Sequence, residues 1–287
     1  MEPITAAIPV PSPLSQVTQN YGGFFGIATV IAAGNETGLA HHYAGRFSAD
    51  TSFEDVELRV GGEEGKRGFI LELWSSAADL YTVGFVSPGG ERISRIPILS
   101  NNETRIPFLL ESTVITVSYQ LIEAGSGSQL VSIRFDRPFP RGIWTIRVYN
   151  TQFLTGEYHM WLPVQGLISE ETYFLEPSPY NTVTAPGDSL ESITVTAYQY
   201  RDNSLYVQAS RGFMPDGNVV PQVAAPGVQI RVPLLNGLYG NASGTSLSAA
   251  QTAGAAALLF EMGGDTWEST LFYRLEREKL YYTRGGA

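Results

Sequence analysis

The sequence predicts an α/β protein: a parallel sheet whose chain is interrupted by an inserted all-β sandwich. Three observations predict it. Residues 1–45 and 181–287 mix short apolar strand-like runs with helical stretches, the texture of βαβ units. Residues 46–180 between them change to short alternating runs separated by turn residues, the texture of an antiparallel sandwich. An Ala/Gly-rich stretch then follows Gly244-Thr245-Ser246 and reads as a helix of about four turns. The expected domains are therefore 1–45, 46–180 and 181–287, with the first and last forming one sheet.

Each element has a local reason. After an apolar run from Ile4 to Val10, Pro11-Ser12-Pro13 caps a helix with proline in its first turn, and Gly22-Gly23 ends it. Gly26–Ala33, with Ile27, Val30 and Ile31, reads as a buried parallel strand. In the insert the runs are Val56–Val60, Phe69–Trp74, Tyr81–Val86, Arg92–Ile98, Val114–Leu121, Leu130–Phe135, Trp144–Tyr149 and Tyr158–Leu162. Turn clusters such as Ser87-Pro88-Gly89-Gly90 and Ser100-Asn101-Asn102 part them. Trp144, Ile146 and Val148 fall on one face of their strand. Ser192–Ala197 and Gln229–Val232 read as further strands, and only Gly254 interrupts helix-forming residues between Leu247 and Met262.

Composition excludes several function classes. With 43% hydrophobic and 16% charged residues the chain has ample core material and no disorder signature. A net charge of −10 with no basic cluster argues against a nucleic-acid ligand. The absence of cysteine removes disulfides and thiolate metal sites. No apolar run is long enough to span a membrane, and Met1-Glu2-Pro3 does not open a signal peptide.

Ser246 falls in the first turn of its helix, where unpaired N–H groups and the helix dipole favour developing negative charge. That suits a nucleophile; the plainer alternative is a helix cap. The block Gly244-Thr245-Ser246-Leu247-Ser248-Ala249-Ala250-Gln251-Thr252-Ala253-Gly254 resembles, without a gap, the nucleophile block of the subtilisin-like serine peptidases, the subtilases of peptidase family S8. Leu247, Ala250 and Gln251 depart from it. Ala225-Pro226-Gly227-Val228, Ser210-Arg211-Gly212 with Asp216-Gly217, and Val30-Ile31-Ala32-Ala33-Gly34-Asn35-Glu36 resemble three further blocks in the family's order. The resemblance implies Ser246 as nucleophile and Asn35 as the oxyanion-hole donor. It further implies substrate contacts at Ala32, Ala33, Gly34, Gly244 and Thr245.

The strand Gly142-Ile143-Trp144-Thr145-Ile146-Arg147-Val148 resembles a strand of the jelly-roll modules attached to other subtilases. A jelly roll inserted between the oxyanion asparagine and the nucleophile resembles the Csp-type spore-germination subtilases. The junctions Gly34-Asn35-Glu36 with His41-His42, and Phe174-Leu175-Glu176-Pro177 with Thr182 and Thr184-Ala185-Pro186-Gly187, agree. That resemblance implies an extracytoplasmic or spore-associated location.

Two triad members are missing. The family's Asp and His-Gly-Thr precede the Gly-Asn block, yet the residues before Asn35 hold neither Asp nor His. His41, His42 and His159 follow it and are expected to be structural; Asp50-Thr51-Ser52 stands in the wrong place for the family's Asp-Thr-Gly. Without a base a serine hydroxyl is a poor nucleophile at neutral pH. The chain is therefore expected to be the C-terminal portion of a subtilase domain, lacking the triad Asp and His and inactive alone. It would pair with the missing N-terminal portion or with a second copy, and would act on a protein or peptide. The alternative is a non-catalytic, pseudoprotease-like module in which the jelly roll binds or assembles. No cofactor is expected. Calcium, used by many subtilases, finds no site, since Glu63-Glu64 and Asp216 lack an Asp-x-Asp-x-Asp-Gly spacing.

Overall fold

The structure is a computed structural model of the 287 residues. It describes 12–24, 26–48, 51–61, 68–99, 103–136, 141–152, 154–189, 191–213 and 219–264. The run Ile4–Val10, Asp50, Glu63-Glu64, Ser100-Asn101-Asn102 and Asp216-Gly217 lie outside the described residues. The chain divides into two compact units: one includes 39–179, the other 11–38 with 180–287.

In chain order the elements begin with helix α1 (Pro13–Gly22), β1 (Val30–Ala32) and β2 (His42–Arg46). Next come β3 (Phe53–Val60), β4 (Phe69–Ser75), β5 (Leu80–Val86), β6 (Arg92–Ile93) and β7 (Thr104–Phe108). They continue with β8 (Thr113–Gln120), β9 (Gln129–Phe135), β10 (Gly142–Gln152), β11 (Glu157–Trp161) and β12 (Tyr173–Phe174). The last are β13 (Ile193–Tyr198), β14 (Gly212–Phe213), β15 (Val219–Val220), β16 (Val223–Pro226), β17 (Ile230–Pro233), β18 (Tyr239–Ala242) and helix α2 (Thr245–Gly264).

The 39–179 unit holds two antiparallel sheets, ordered β12-β3-β10-β5-β6 and β2-β11-β4-β9-β8-β7. Alternation sends one side chain in two inward from each, and these form a single buried cluster. Leu58, Val83 and Ile146 enter it from the first sheet, and Leu71, Val117 and Ile133 from the second. Trp144 of β10 is fully buried and meets Phe108 of β7 and Phe135 of β9 edge-on, with ring centroids 4.9 and 5.6 Å away. The unit is closed at its base: Phe174 N–H donates to Ala40 O at 3.0 Å, and Ser178 N–H to His42 O at 2.8 Å.

Two strands of this unit are not among the runs expected from the sequence. Thr104–Phe108 contains Pro107, which is tolerated because β7 is an edge strand. His42–Arg46 contains Gly45, where a Cβ would stand 2.1 Å from the ring of Tyr158 on the paired strand β11. The tyrosine requires that glycine. Because β2 pairs with β11, the unit starts at Leu39, whereas the sequence reading put the boundary after residue 45. The expected strand Arg92–Ile98 is only Arg92–Ile93; past it the pairing shifts by one residue, with Ile96 N–H donating to Val83 O at 2.9 Å.

Asp79, fully buried in the β4–β5 turn, ties that turn to the β10–β11 connection. Its carboxylate accepts from Leu154 N at 2.5 Å, Thr155 N at 3.1 Å, Thr155 Oγ1, and Ser76 Oγ at 3.0 Å. Burial by itself pushes this carboxyl up, but these donors outweigh it and hold it below the ordinary aspartate value. A carboxyl depressed on folding stabilises the fold above its unfolded pKa, and that stabilisation is lost as pH falls through the folded value. Asp79→Ala is expected to cost about 2 kcal/mol near neutrality by removing the carboxylate that accepts these bonds. Asp79→Asn should flatten the acid side of the stability curve, as read by urea melts between pH 3 and 7.

In the other unit α1 begins as expected, with Ser12 as N-cap accepting from Ser15 N at 3.1 Å. Ser15 Oγ in turn donates to the buried Asp188 at 2.5 Å, and burial holds that carboxyl above its ordinary value. The sheet order is β1-β13-β16, all parallel, with Val30 opposite Ile193 and Val195 opposite Val223. Gly26–Ala33 was expected as a buried strand; only Val30–Ala32 is strand, and it is half-buried. The reason is its place at the sheet's edge, where only β13 pairs with it among the described residues. The expected strand Gln229–Val232 pairs antiparallel with β18 in a hairpin and does not extend the sheet.

Candidate active site

The site lies within the 11–38/180–264 part of the second unit, where β1 ends and α2 begins. α2 packs on β1, β13 and β16, with Ala249 buried against Val195 and Ala225. Small residues allow that close approach. Ser248 Oγ donates to Ala225 O at 2.9 Å, and Gln251 Nε2 to Pro226 O at 2.9 Å, mooring the helix to the carboxyl end of β16. Ser246 is the second residue of α2 and is exposed. As a first-turn residue its own N–H has no partner within the helix and is available to an anion.

Beyond β1 the chain turns at Gly34 and presents Asn35. Gly34 has φ +104, and a Cβ there would stand 2.6 Å from Thr184 Oγ1 and 3.0 Å from Ser210 Oγ. Only glycine fits. Thr245 N–H donates to Asn35 Oδ1 at 3.0 Å, and Thr245 Oγ1 lies 3.3 Å from the same oxygen. This backbone donor fixes which way the amide faces: Oδ1 accepts from the helix start and Nδ2 is left to donate elsewhere. Thr245 Oγ1 is also 3.2 Å from both Gly34 N and Gly34 O. One fully buried threonine therefore joins the Asn35 turn to the first residue of the Ser246 helix.

The residues named from sequence come together unevenly. Gly34, Asn35 and Thr245 form one network; Gly244, whose N–H is anchored to Gly227 O at 2.8 Å, and Ser246 flank Thr245 in the chain. Ala32 ends β1 and is half-buried. Ala33 is fully buried; its N–H donates to Val195 O and its carbonyl accepts from Thr184 N, each at 2.9 Å. It can wall a cleft but has no backbone hydrogen bond to offer a substrate. Sequence reading missed Thr182, Thr184 and Ser210 as supports of the turn, because their partners lie about 145 to 175 residues away in the chain.

The three histidines belong to the other unit. His41 and His42 are buried; His42 Nε2 lies 3.0 Å from His159 Nδ1, and Trp161 stacks on His42 at 4.9 Å and on His159 at 5.3 Å. Burial holds His159 below its ordinary value, against the opposing pull of Glu157. Among the described residues no group of three His, Asp or Glu could hold a metal, and no helix is long and apolar enough to cross a membrane.

An exposed serine in the first turn of α2 and an asparagine held to that helix start, just past the carboxyl end of a parallel strand, make an arrangement compatible with an α/β serine hydrolase. Residues 175–280 match the model of the Subtilase family, Peptidase_S8. The fold is similar to the structure of the Clostridium perfringens CspB protease, with a TM-score of 0.80 and 29% identity. That likeness covers 90% of this chain and 54% of that one, so the chain spans about half the length of the structure it matches. No curated protein sequence matches. The chain is thus similar to the subtilases over residues 175–280 and, in fold, to a Csp-type protease.

Proposed function

We propose that this chain contributes the nucleophile and oxyanion half of a subtilisin-like serine endopeptidase, and that the base and its aspartate come from a polypeptide outside these 287 residues. One observation carries the reading: Thr245 locks the Asn35 amide at the start of the helix that bears exposed Ser246. In the completed centre a histidine takes the Ser246 Oγ proton as Oγ attacks the scissile carbonyl, with an aspartate orienting that histidine. The oxyanion is held by Asn35 Nδ2 and Ser246 N–H, and the acyl-enzyme on Ser246 is then hydrolysed by water. The 39–179 unit is read as the jelly-roll insert.

The complementing polypeptide would also cover apolar surface. α2 exposes Leu258, Leu259 and Met262, while α1 exposes Leu14, Val17 and Tyr21. A helix apolar on most sides belongs in an interior. The second reading, a non-catalytic binding module, is favoured by one fact: residues 11–38 and 180–287 contain no histidine.

Casein hydrolysis separates the two. The chain alone is expected to be inactive. Mixed with a polypeptide carrying the family's Asp-x-Gly and His-Gly-Thr motifs, it should form a heteromer by light scattering and cleave casein, and Ser246→Ala should abolish that cleavage. A heteromer without activity supports the binding module. Turnover by the chain alone that is lost in Ser246→Ala would overturn the expected need for a partner.

A further inference from the structure

We propose that Ser210 is a positioning residue for Asn35, holding the turn that presents the oxyanion donor; this rests on the peptidase reading above. The segment Gln208–Ser210 brackets the Gly34–Thr37 turn along its length. Ser210 N–H donates to Gly34 O at 2.9 Å, one residue before Asn35, and Glu36 N–H donates to Ser210 Oγ at 3.0 Å, one residue after it. Thr37 continues the bracket, its N–H reaching Gln208 O at 3.2 Å and its Oγ1 reaching Ala209 O at 2.9 Å.

The two Ser210 bonds flank Asn35, so they define the direction in which its side chain leaves the backbone. Thr245 then fixes the rotation of the amide from the other end. Ser210 is itself held, with its carbonyl accepting from Thr196 Oγ1 at 3.2 Å and its side chain fully buried. Its hydroxyl is a part of this clamp, next to Asn35, that a substitution can remove without touching the main chain. Glu36 N–H would then lose its acceptor in a buried place, and the turn would relax to find another. A donor must sit within a fraction of an ångström of the developing charge to act, so a small relaxation matters to the oxyanion more than to the fold.

The Ser-Arg-Gly block thereby acquires a physical role. Its serine is fully buried and acts through Asn35.

The test uses Ser210→Ala, Ser210→Thr as the conservative variant that keeps the hydroxyl, and Ser210→Cys, which keeps volume but accepts weakly. Amide exchange and the side-chain 15N–H2 signals of Asn35, assigned by their loss in Asn35→Asp, are read on the whole chain. Ser210→Ala should speed exchange at the Glu36 amide about tenfold and shift the Asn35 side-chain pair, while exchange within Ile193–Tyr198 stays unchanged. Ser210→Thr should restore both signals. If Ser210→Ala does not fold, Ser210→Cys gives the same comparison. In the complemented peptidase kcat should fall about 10–100-fold with KM within twofold. Unchanged Asn35 and Glu36 signals, or changes that merely follow loss of the whole sheet's protection, overturn the proposal. Inactivity of the complemented wild type counts against the peptidase reading alone, since the magnetic resonance signals still decide the role of Ser210.

Discussion

Trp144→Ala is expected to destabilise the 39–179 unit more than Asp79→Ala does. The indole is fully buried and joins the two sheets, with Phe108 and Phe135 presenting their edges to it at 4.9 and 5.6 Å. Emptying such a site removes the transfer energy of the indole and leaves a cavity that two stiff sheets cannot close, a cost of about 3–5 kcal/mol. Whole domains are stable by about 5–15 kcal/mol. A urea midpoint lower by about 2 M, with loss of near-ultraviolet dichroism, is the expected reading. Trp144→Phe should recover roughly half of the shift by refilling most of the volume. A midpoint within 0.5 M of wild type for Trp144→Ala would show that the sheets do not depend on this contact.

The second large effect concerns chemistry. In the complemented peptidase, Asn35→Ala is expected to lower kcat by about 10²–10³ with KM nearly unchanged, the range found for the corresponding donor in subtilisin. The oxyanion exists only after attack, so its donor contributes to the transition state and not to substrate binding. Asn35→Asp separates donor from shape. It retains an oxygen for Thr245 N–H, as Asn35 Oδ1 accepts now, so the turn should keep its form. Its second oxygen would face the developing charge with a like charge, and kcat should fall further than in the alanine variant. A kcat within twofold of wild type for either variant would remove Asn35 from the mechanism. Steady-state kinetics on a chromogenic peptide give both constants.

What the sequence discloses and what it hides divide along physical lines. Val56–Val60 and Trp144–Tyr149 were legible because a strand with one buried face must alternate, whatever its partner. The turn at Gly34 and the helix start at Thr245 were legible through short contiguous blocks whose turns need particular residues. β2 and β7 were not: both lie at sheet edges, where the ladder tolerates glycine and proline, and Gly45 is dictated by a tyrosine more than a hundred residues away. The half-burial of β1 was hidden for a different reason, since an apolar run does not report how many neighbours its strand has. Thr245 was named only by its place beside the serine. Its four close approaches to Gly34 and Asn35 depend on a meeting of residues some 210 apart.

The bonds that close the base of the 39–179 unit bear on the order in which the chain acquires its structure. Phe174 to Ala40 and Ser178 to His42 bring the two ends of a long excursion together, and Thr37 Oγ1 meets Thr182 Oγ1 at 2.7 Å just beyond them. Before the excursion folds, β1 can find β13 only by closing a loop on the order of 160 residues. Once it has folded, the path between the same strands shortens to roughly twenty flexible residues, and the entropy of closure falls by about 2 kcal/mol. Folding should therefore be sequential, with the antiparallel sheets first and the parallel ones after. The Asn35–Thr245 contact is then a late event in the life of the chain, and a ribosome-bound or truncated product would hold its sandwich long before it held a site.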